Sequence, residues 1–312
     1  MGAEVHEWAV ESLRALGVEL RGPLAPVKER PWARVYVGDT DQGRFYLKQS
    51  GPGGRHEVGL AHALAKRWPD RVAAPLAADS ERGWMLTRDL GEPLREVVCS
   101  GGESLSSSWR SVLARYAEIQ VGSAAEPERW LALGMPDRTP ERIPHLAEEL
   151  LGRAPGLTPS EREGLRAGLP ELEARCRALA EGPLKPALEH GDLHAGNVLA
   201  GPSGTWIFDW GDASWSHPLS SLLVALDPLY EGPSSVPEDV REGWIAAYLE
   251  PFGQLAPLAA CRELLPVAHR VALVSRALDF DHMLQGSDAM GRARWQPEIA
   301  RWLRLGLDRD PA

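Results

Sequence analysis

The sequence has little lysine, little cysteine and no long apolar run. Of its 34 basic residues, four are lysines and the others are arginines, so a lysine at a meaningful position is more informative than usual. The three cysteines are widely spaced and form no CxxC-like pattern, which disfavours a cysteine metal site and predicts buried or incidental thiols in a reducing cytoplasm. No run reaches 18 apolar residues, so we expect no membrane span. The lysines are Lys28, Lys48, Lys66 and Lys185, and the cysteines are Cys99, Cys176 and Cys261.

Positive charge is also in deficit, because the formal net charge is −10. This balance argues against nucleic acid as a partner and mildly favours a cationic or neutral substrate. The N-terminal segment MGAEVHEWAV carries acids and lacks a basic stretch followed by an apolar run, so a secretion signal is not expected. With 44% apolar and 25% charged residues, the 312-residue chain has the composition of a soluble globular protein with one large domain or two lobes.

The most informative stretch is 189–212, EHGDLHAGNVLAGPSGTWIFDWGD. Two short apolar runs, VLA and WIF, flank the turn signal GPSG, and this pattern predicts a β-hairpin. Asn197 comes just before the first strand and Asp209 just after the second, so the two side chains are predicted to face each other at the open end. Asp192 lies five residues before Asn197, on the loop that leads into the hairpin.

These three side chains suit phosphoryl transfer. Mg²⁺ prefers a few protein oxygen ligands and takes others from substrate phosphates, and an Asn amide beside an Asp carboxylate can supply the protein's share. A third carboxylate that is not used for metal can orient an attacking hydroxyl and accept its proton. The alternative interpretation is that Asp and Asn are simply common in turns.

The strings HGDLHAGNVL and IFDWGD resemble the catalytic signature of the aminoglycoside phosphotransferase and choline kinase family, a branch of the protein-kinase-like fold. They are similar to the H-R-D-L-x-x-x-x-N and D-F-G pair of protein kinases. The resemblance implies that Asp192 is the catalytic base and that Asn197 and Asp209 bind Mg²⁺. It also implies that His190 holds the loop backbone, while His194 either steadies the γ-phosphate or makes a hydrogen bond within the loop.

The N-terminal third of the chain suits the small lobe of a kinase. Lys48 ends a predicted strand, and Glu57 begins the next predicted helix after a GPGG loop. In kinases such a lysine contacts the α- and β-phosphates and the glutamate holds it in place. The alternative is a surface lysine and an acid that the helix dipole favours. Apolar spacing predicts a helix over 4–16, a strand and turn within 24–33, and strands over 34–37, 44–48, 73–76 and 83–87.

The resemblance also places the nucleotide. It implies that the backbone from Thr87 to Asp89, just past the last of these strands, hydrogen-bonds the adenine. There is no G-x-G-x-x-G motif over the phosphates. The resemblance implies a shorter loop at 29–34, where Trp32 and Arg34 approach the nucleotide. ATP is therefore the default donor, and GTP stays open.

Helices are predicted for the rest of the chain. Residues 109–120 form an amphipathic pattern after the polar linker SGGESLSSS, with Ser108 as N-cap. A capping box of Ser160 and Glu163 is predicted for a later helix. Asp279 and Asp281 lie near the end of a long late helix and would suit an amine-bearing substrate, the alternative being a solvated face. The later helices are predicted over 142–151, 160–179, 240–249, 258–283 and 295–305.

The segment after Asp212 departs from the family pattern. Ser216 replaces a glycine of the family, and Ser221 replaces the aspartate that braces the catalytic loop there. A serine brace is weaker, which lowers the expected activity. A helix begins at about Leu219 and leaves no room for a protein-kinase activation loop, so a protein substrate is disfavoured. Asp212 itself either reaches a second metal or caps the next segment.

The sequence and the resemblance together predict an α+β, bilobal protein-kinase-like fold. Residues 1–90 would form a small antiparallel β-sheet lobe plus one helix, and residues 91–312 a larger, mostly helical lobe. The predicted activity is transfer of the γ-phosphate of ATP or GTP, with Mg²⁺, to a hydroxyl of a small polar acceptor such as an aminoglycoside or another antibiotic. A metabolic sugar or amino-alcohol kinase is one alternative, and a nucleotide-binding scaffold without turnover is another. The predicted nucleotide-binding residues are Lys48, Glu57, Thr87, Asp89 and His194.

Overall fold

The N-terminal part of the molecule is built on a five-stranded antiparallel sheet in the order β1-β2-β3-β5-β4. The computed structural model describes residues 2–100, 105–232 and 235–308. The three successive antiparallel strands predicted from the sequence are confirmed: the first lies within the predicted stretch 24–33, and the second and third extend beyond their predicted bounds. The fourth strand begins two residues later than predicted. The strands are β1 Ala25–Arg30, β2 Ala33–Thr40, β3 Gly43–Ser50, β4 Pro75–Asp79 and β5 Trp84–Arg88.

Helices α1 (Ala3–Ala15) and α2 (His56–Arg67), both predicted from the sequence, accompany this sheet. The apolar stripe of α1 is buried against the sheet in a cluster that includes Phe45 and Leu47. Gly17 ends α1 with φ of 69°. Its N–H and that of Val18 donate to carbonyls of the last turn, each at 3.0 Å, which is a Schellman cap.

The remainder of the described chain is mostly helical. Its helices are α3 Leu94–Cys99, α4 Leu105–Ser123, α5 Pro127–Leu131, α6 Ile143–Arg153, α7 Pro159–Arg166, α8 Leu169–Ala180, α9 Leu222–Ala225, α10 Glu238–Leu249, α11 Leu258–Glu263, α12 Leu265–Met283 and α13 Ala289–Leu307. Within the residues that the structure describes, no helix combines the length and the apolar character needed to cross a bilayer.

Two small sheets complete the fold. In one, β6 pairs with the hairpin of β9 and β10; in the other, β11 lies between β7, to which it is parallel, and β8, to which it is antiparallel. Their strands are β6 Glu92–Pro93, β7 Asp137–Arg138, β8 Ala187–Glu189, β9 Val198–Gly201, β10 Gly204–Ile207 and β11 Ser214–Ser216. The predicted division of the chain between residues 90 and 91 stays a prediction.

Helix α4 lies in the main hydrophobic core. Its predicted apolar face is buried, and Trp109, Leu113 and Tyr116 are fully covered. Burying each such side chain stabilises the fold by about 1.5–3 kcal/mol. The indole N–H of Trp109 donates to the carbonyl of Ala225 at 2.7 Å, so its polar atom is paired inside the core. This core also takes Leu60 and Leu64 of α2, which joins the small lobe to the helical part.

Several predicted helix ends are wrong. Helix α4 begins at Leu105, so Ser108 lies inside the helix and is not its N-cap; residues 101–104 of the predicted linker lie outside the described residues. The capping box is formed by Thr158 and Glu161 and not by Ser160 and Glu163. Pro159 causes this difference, because proline is favoured at the first helical position and shifts the cap one residue before it.

Two predicted long helices are each two helices. The pattern over 160–179 is divided between α7 and α8 at 167–168, and the pattern over 258–283 is divided between α11 and α12 at Leu264. Gly168 lies at the first break, and Pro266 lies in the first turn of α12 just after the second. Apolar periodicity continues across such breaks because both halves pack on the same core, so the spacing alone does not show them.

Candidate active site

The predicted hairpin is confirmed and positions two of the predicted metal ligands. β9 and β10 pair from Val198–Ile207 to Gly201–Gly204. At the open end, the N–H of Phe208 donates to the carbonyl of Asn197 at 3.1 Å. Asp209 follows with φ of 64°, a left-handed conformation that costs an L residue about 1–2 kcal/mol. The fold therefore maintains a strained backbone at this aspartate, as is common at functional sites.

Lys48 is held between two carboxylates. Its Nζ lies 2.5 Å from Asp209 Oδ1 and 2.7 Å from Glu57 Oε1, so the predicted lysine–glutamate pair is formed. The hydroxyl of Ser50 donates to the other oxygen of Glu57 at 3.0 Å. Burial disfavours the charge of Lys48, but Asp209 and Glu57 outweigh it and raise the pKa of Lys48. The lysine is thus charged and fixed in direction.

Lys28 is a site residue that the sequence analysis did not select. It lies on β1, and its Nζ is 4.0 Å from Asp209 Oδ2, with half of the side chain exposed. Two of the four lysines of the chain therefore face one carboxylate, which places two positive charges where phosphates could lie. The scarcity of lysine was the available signal, but nothing in the sequence showed that β1 passes this close to Asp209.

Asp192 accepts hydrogen bonds from four directions. Its Oδ1 lies 2.7 Å from Arg276 Nη2 and 2.5 Å from the Tyr230 hydroxyl. Its Oδ2 lies 3.5 Å from His194 Nε2 and 3.4 Å from the amide nitrogen of Asn197. Burial would raise the pKa of Asp192, but Arg276 and then His194 hold it well below its usual range. The carboxylate is consequently ionised at neutral pH.

Arg276 comes from α12 and donates hydrogen bonds to Gly191, Asp192 and Asp212. Besides Asp192, its guanidinium donates to the Gly191 carbonyl at 2.9 Å and to Asp212 Oδ2 at 3.0 Å. Burial raises the pKa of Asp212 to about 7, although Arg276 works against that rise. The structure therefore gives Asp212 an arginine partner, while its two predicted roles stay predictions. No local sequence pattern could have predicted that Arg276 bonds to Asp192 and Asp212, because Arg276 is 84 residues from Asp192.

The two loop histidines are anchored. His190 Nε2 lies 2.9 Å from the Phe208 carbonyl, and its Nδ1 accepts from the backbone N–H of Asp192 at 3.3 Å. This confirms the prediction that His190 holds the loop backbone. His194 Nδ1 accepts from the N–H of Gly196 at 3.0 Å, so the loop hydrogen bond is formed. A contact of His194 with the γ-phosphate stays a prediction.

Ser221 reaches the catalytic loop through a tyrosine. Its hydroxyl lies 2.8 Å from the Tyr116 hydroxyl and 3.2 Å from the amide nitrogen of Gln120. The Tyr116 hydroxyl in turn accepts from the backbone N–H of His190 at 2.9 Å. Tyr248 closes the network by donating to Gln120 at 2.5 Å. A buried network on α4 and α10 thus supports the loop at the position where the family has an aspartate.

Thr87 and Asp89 lie apart from these ion pairs, at the end of β5. Thr87 is paired with Tyr46 of β3, two residues along from the pair of Lys48 with Met85. The N–H of Asp89 already donates to the Arg44 carbonyl at 3.1 Å. An adenine contact at this residue would therefore use its carbonyl. The adenine contacts of Thr87 and Asp89 stay predictions.

The late acids are paired with arginines. Asp279 is buried and bonded to Arg138 of β7. Asp281 accepts both hydrogen bonds of a bidentate pair with Arg153, at 2.6 and 2.7 Å. Neither Asp279 nor Asp281 is therefore left as an open anionic contact for an amine.

Trp32, predicted near the nucleotide, packs on Trp295 of α13 with ring centroids 5.0 Å apart.

The residues at the hairpin fit a magnesium ion that completes its coordination with phosphates. The amide nitrogen of Asn197 donates to the Asp192 carbonyl at 2.9 Å, which leaves the amide oxygen as the end that can bind a cation. Asp209 adds a carboxylate beside it. In the described ranges, no group of three or more His, Cys, Asp or Glu side chains is arranged to hold a metal. Two protein oxygens are the share that Mg²⁺ takes in nucleotide sites.

A model of the "Phosphotransferase enzyme family" matches residues 32–264. A "probable ketoamine kinase in tonB 3′ region" of Klebsiella pneumoniae is 33% identical over 106 residues, which cover 32% of this chain and 84% of that protein.

Solved structures share the fold. A choline/ethanolamine kinase family protein from Mesorhizobium loti superposes with a TM-score of 0.62 at 20% identity, covering 96% of this chain and 94% of that one. The GDP and kanamycin complex of APH(2")-IIia gives 0.61 at 16% identity, covering 96% and 97%. A macrolide 2′-phosphotransferase type I gives 0.56 at 16% identity, covering 95% and 98%. The predicted protein-kinase-like fold is thereby confirmed. With the family match spanning most of its length, the chain belongs to the phosphotransferase enzyme family and is a small-molecule phosphotransferase.

Proposed function

We propose that this enzyme transfers the γ-phosphate of a nucleoside triphosphate to a hydroxyl of a small polar acceptor, with Asp192 as the base. One observation carries the proposal: the hairpin brings Asp209, bonded to Lys48, beside Asn197, whose amide donates to the Asp192 backbone. An ionised carboxylate fixed by Arg276 is suited to orient the acceptor hydroxyl and to take up its proton. Positioning and charge neutralisation supply most of the catalysis in such transfers.

The nucleotide would lie between the small lobe and the catalytic loop. Lys48, held by Glu57, would bind the α- and β-phosphates, and Lys28 adds a second positive charge from β1. The backbone from Thr87 to Asp89 would bind the adenine. The GDP complex of a structural neighbour supports a purine nucleotide, and ATP is the default donor with GTP open.

Asn197 and Asp209 would hold Mg²⁺. When bound, the ion neutralises charge on the β- and γ-phosphates. Asp209 is shared with Lys48, so both cationic groups would lie on the same side of the phosphates. The Asp192 carboxylate accepts from Arg276 at Oδ1 and from the Asn197 amide at Oδ2, so we assign it to the acceptor and not to the metal.

The acceptor class we favour is a sugar that carries an amine. The specific observation is the 33% identity over 106 residues, 32% of this chain, to a probable ketoamine kinase. The aminoglycoside and macrolide enzymes match nearly the whole chain by fold, at 16% identity. Aminoglycosides and other hydroxylated antibiotics are the second class. The pairing of Asp279 and Asp281 with arginines removes one reason to expect a strongly cationic acceptor.

The test is nucleotide consumption by the purified chain with Mg²⁺ and a panel of ketoamines, sugars, amino alcohols, aminoglycosides and macrolides. We expect acceptor-dependent turnover, and we expect Asp192→Asn to lower kcat by about 10²–10⁴-fold, the contribution typical of a general base. Nucleotide affinity should stay within about threefold, since the base does not bind the nucleotide. Asp70→Asn, at an exposed acid, serves as the control.

Unchanged turnover in Asp192→Asn would refute the base assignment. Failure of the folded protein to bind ATP or GTP with Mg²⁺ would refute the proposed activity altogether. Binding without turnover on any acceptor would favour a nucleotide-binding scaffold.

A further inference from the structure

Tyr230 has a left-handed backbone conformation, which the hydrogen bonds of the turn at 227–232 maintain. Among the described residues, it and Asp209 are the non-glycine residues with positive φ, at 57° and 64°. The Asp227 carboxylate accepts from the N–H groups of Glu231 and Gly232 at 3.0 and 3.1 Å, and the Asp227 carbonyl accepts from the N–H of Tyr230 at 3.1 Å. These bonds fix the direction of the Tyr230 side chain.

The turn is also attached to the catalytic loop. The Pro228 carbonyl accepts from the N–H of Ala195 at 2.9 Å. The Tyr230 ring lies 4.8 Å from the His194 ring between centroids, and the Arg95 guanidinium lies 5.8 Å from the Tyr230 centroid. Half of the Tyr230 surface is nevertheless exposed, at 51%. The residue is therefore placed against the active site without being part of the core.

The phenol occupies a position that matters for the reaction. Its hydroxyl donates to Asp192 Oδ1 at 2.5 Å, which is the arrangement that an acceptor hydroxyl must adopt to lose its proton to this base. The other contacts of the carboxylate in the described chain are to Arg276 at Oδ1 and, at 3.5 and 3.4 Å, to His194 and Asn197 at Oδ2. A water molecule that attacks the nucleotide would need the same contact with Asp192.

We propose that the Tyr230 phenol holds the place of the acceptor hydroxyl on Asp192 and thereby selects against water as acceptor. In the suppressed reaction, a water oxygen bonds to the γ-phosphorus, the bond to the nucleoside diphosphate breaks, and the water proton goes to Asp192. While the phenol is bonded to Asp192, a water molecule cannot make the same hydrogen bond and transfer its proton. A hydroxylated acceptor displaces the phenol when it binds. The proposal rests on the proposed function, because it requires Asp192 to be the base.

The test is the release of nucleoside diphosphate by the full chain with Mg²⁺ and ATP or GTP, and no acceptor. Tyr230→Phe keeps the ring and removes only the hydroxyl, and we expect acceptor-independent hydrolysis to rise about fivefold or more. The double variant with Asp192→Asn should return to the level of Asp192→Asn alone. Asp227→Ala, which releases the turn while keeping the phenol, should give a smaller rise. Tyr36→Phe, in the sheet of the small lobe, is the matched control.

The outcomes separate the two proposals. If wild type binds nucleotide and turns over an acceptor through Asp192, but Tyr230→Phe hydrolyses no faster than wild type, the selection against water is wrong and the proposed function stands. A rise that persists without Asp192 would also overturn it, because the phenol would then act elsewhere. Phosphate found on Tyr230 by peptide mass spectrometry would show that the phenol is itself a phosphate acceptor, and the proposal that it excludes water would be wrong. If the wild-type protein does not bind nucleotide, both proposals are wrong.

Discussion

At the scale of the residue, the Asp192 carboxylate depends on side chains that are distant in sequence. Asp192 belongs to a local motif, but Arg276 and Tyr230, which bond to it, are 84 and 38 residues away. The loop backbone is held in the same manner, since the N–H of His190 donates to the Tyr116 hydroxyl. The motif therefore supplies the carboxylate that we propose as the base, and remote residues supply its orientation.

Tyr116 is predicted to be a more important support than Ser221. Tyr116→Phe leaves the buried N–H of His190 without an acceptor, and we expect a loss of about 1–3 kcal/mol of stability together with a lower kcat. Ser221→Ala keeps that acceptor and leaves the Gln120 amide bonded to the Leu188 carbonyl, so about 0.5–1.5 kcal/mol should be lost. Denaturant unfolding and steady-state kinetics measure both effects.

The reverse order would change the interpretation. If Ser221→Ala lost more kcat than Tyr116→Phe, the serine would act on the loop more directly than the contacts show. In both variants the KM for nucleotide should stay near the wild-type value, because neither side chain lies at Lys48 or Asp209.

At the scale of the element, the turn before α2 is packed tightly against α12. A Cβ added at Gly53 would collide with the backbone carbonyl of His282, and this turn leads directly to Glu57. The sequence predicted the strand, the loop and the helix, together with the Lys48–Glu57 pair. It could not show that a helix more than 200 residues later abuts the loop.

Gly53→Ala is predicted to lower both stability and nucleotide affinity. Forcing a methyl group into a packed contact typically costs about 1–3 kcal/mol, and the displacement of α2 would loosen the Lys48–Glu57 pair. Gly152→Ala is the control, because it lies on α6 with open space around the added Cβ and should stabilise the protein by about 0.5–1 kcal/mol. Thermal unfolding and nucleotide titration distinguish the two variants. Equal Tm values for them would contradict the close packing of α2 on α12.

Helix ends were the least predictable feature at this scale. The apolar face of α4 was identified correctly, and that of α1 was too except for Leu16, which is exposed beyond the helix end, since 3.6-residue periodicity reflects which side is buried. The capping box was placed two residues too late, and two helix breaks were missed. Caps depend on one or two backbone hydrogen bonds, and several nearby Ser, Thr and Glu residues could have made them.

At the scale of the whole molecule, buried histidines make the fold sensitive to acid. Burial lowers the pKa of His56, His190 and His217 to about 4. In the unfolded chain these groups titrate near their ordinary value of about 6.5. Between these two pH values the unfolded state binds more protons than the native state, so stability falls as pH falls. The slope is about 1.4 kcal/mol per pH unit for each such group.

His217 offers a direct measurement of this effect. It is buried, and neither ring nitrogen has a hydrogen-bond partner in the described parts of the chain. Between pH 7 and pH 5, the free energy of unfolding should fall by about 2 kcal/mol less in His217→Leu than in wild type, because one protonation that favours the unfolded state is removed. Denaturant unfolding at several pH values measures the difference. His145→Asn, at an exposed position on α6, is the control, and parallel pH curves for His217→Leu and wild type would disprove the prediction.

The sequence by itself determined the hairpin with Asn197 and Asp209 at its open end, the loop with Asp192, the Lys48–Glu57 pair and the kinase-like order of strands and helices. Each of these follows from residues close together in the chain or from a regular apolar spacing, which leave a local signal. Only the tertiary structure decided that Arg276 and Tyr230 bond to Asp192, that Lys28 faces Asp209, and that Ser221 reaches the loop through Tyr116. These contacts join single side chains across long separations. Their energy depends on packing geometry, and a sequence carries no periodic trace of such geometry.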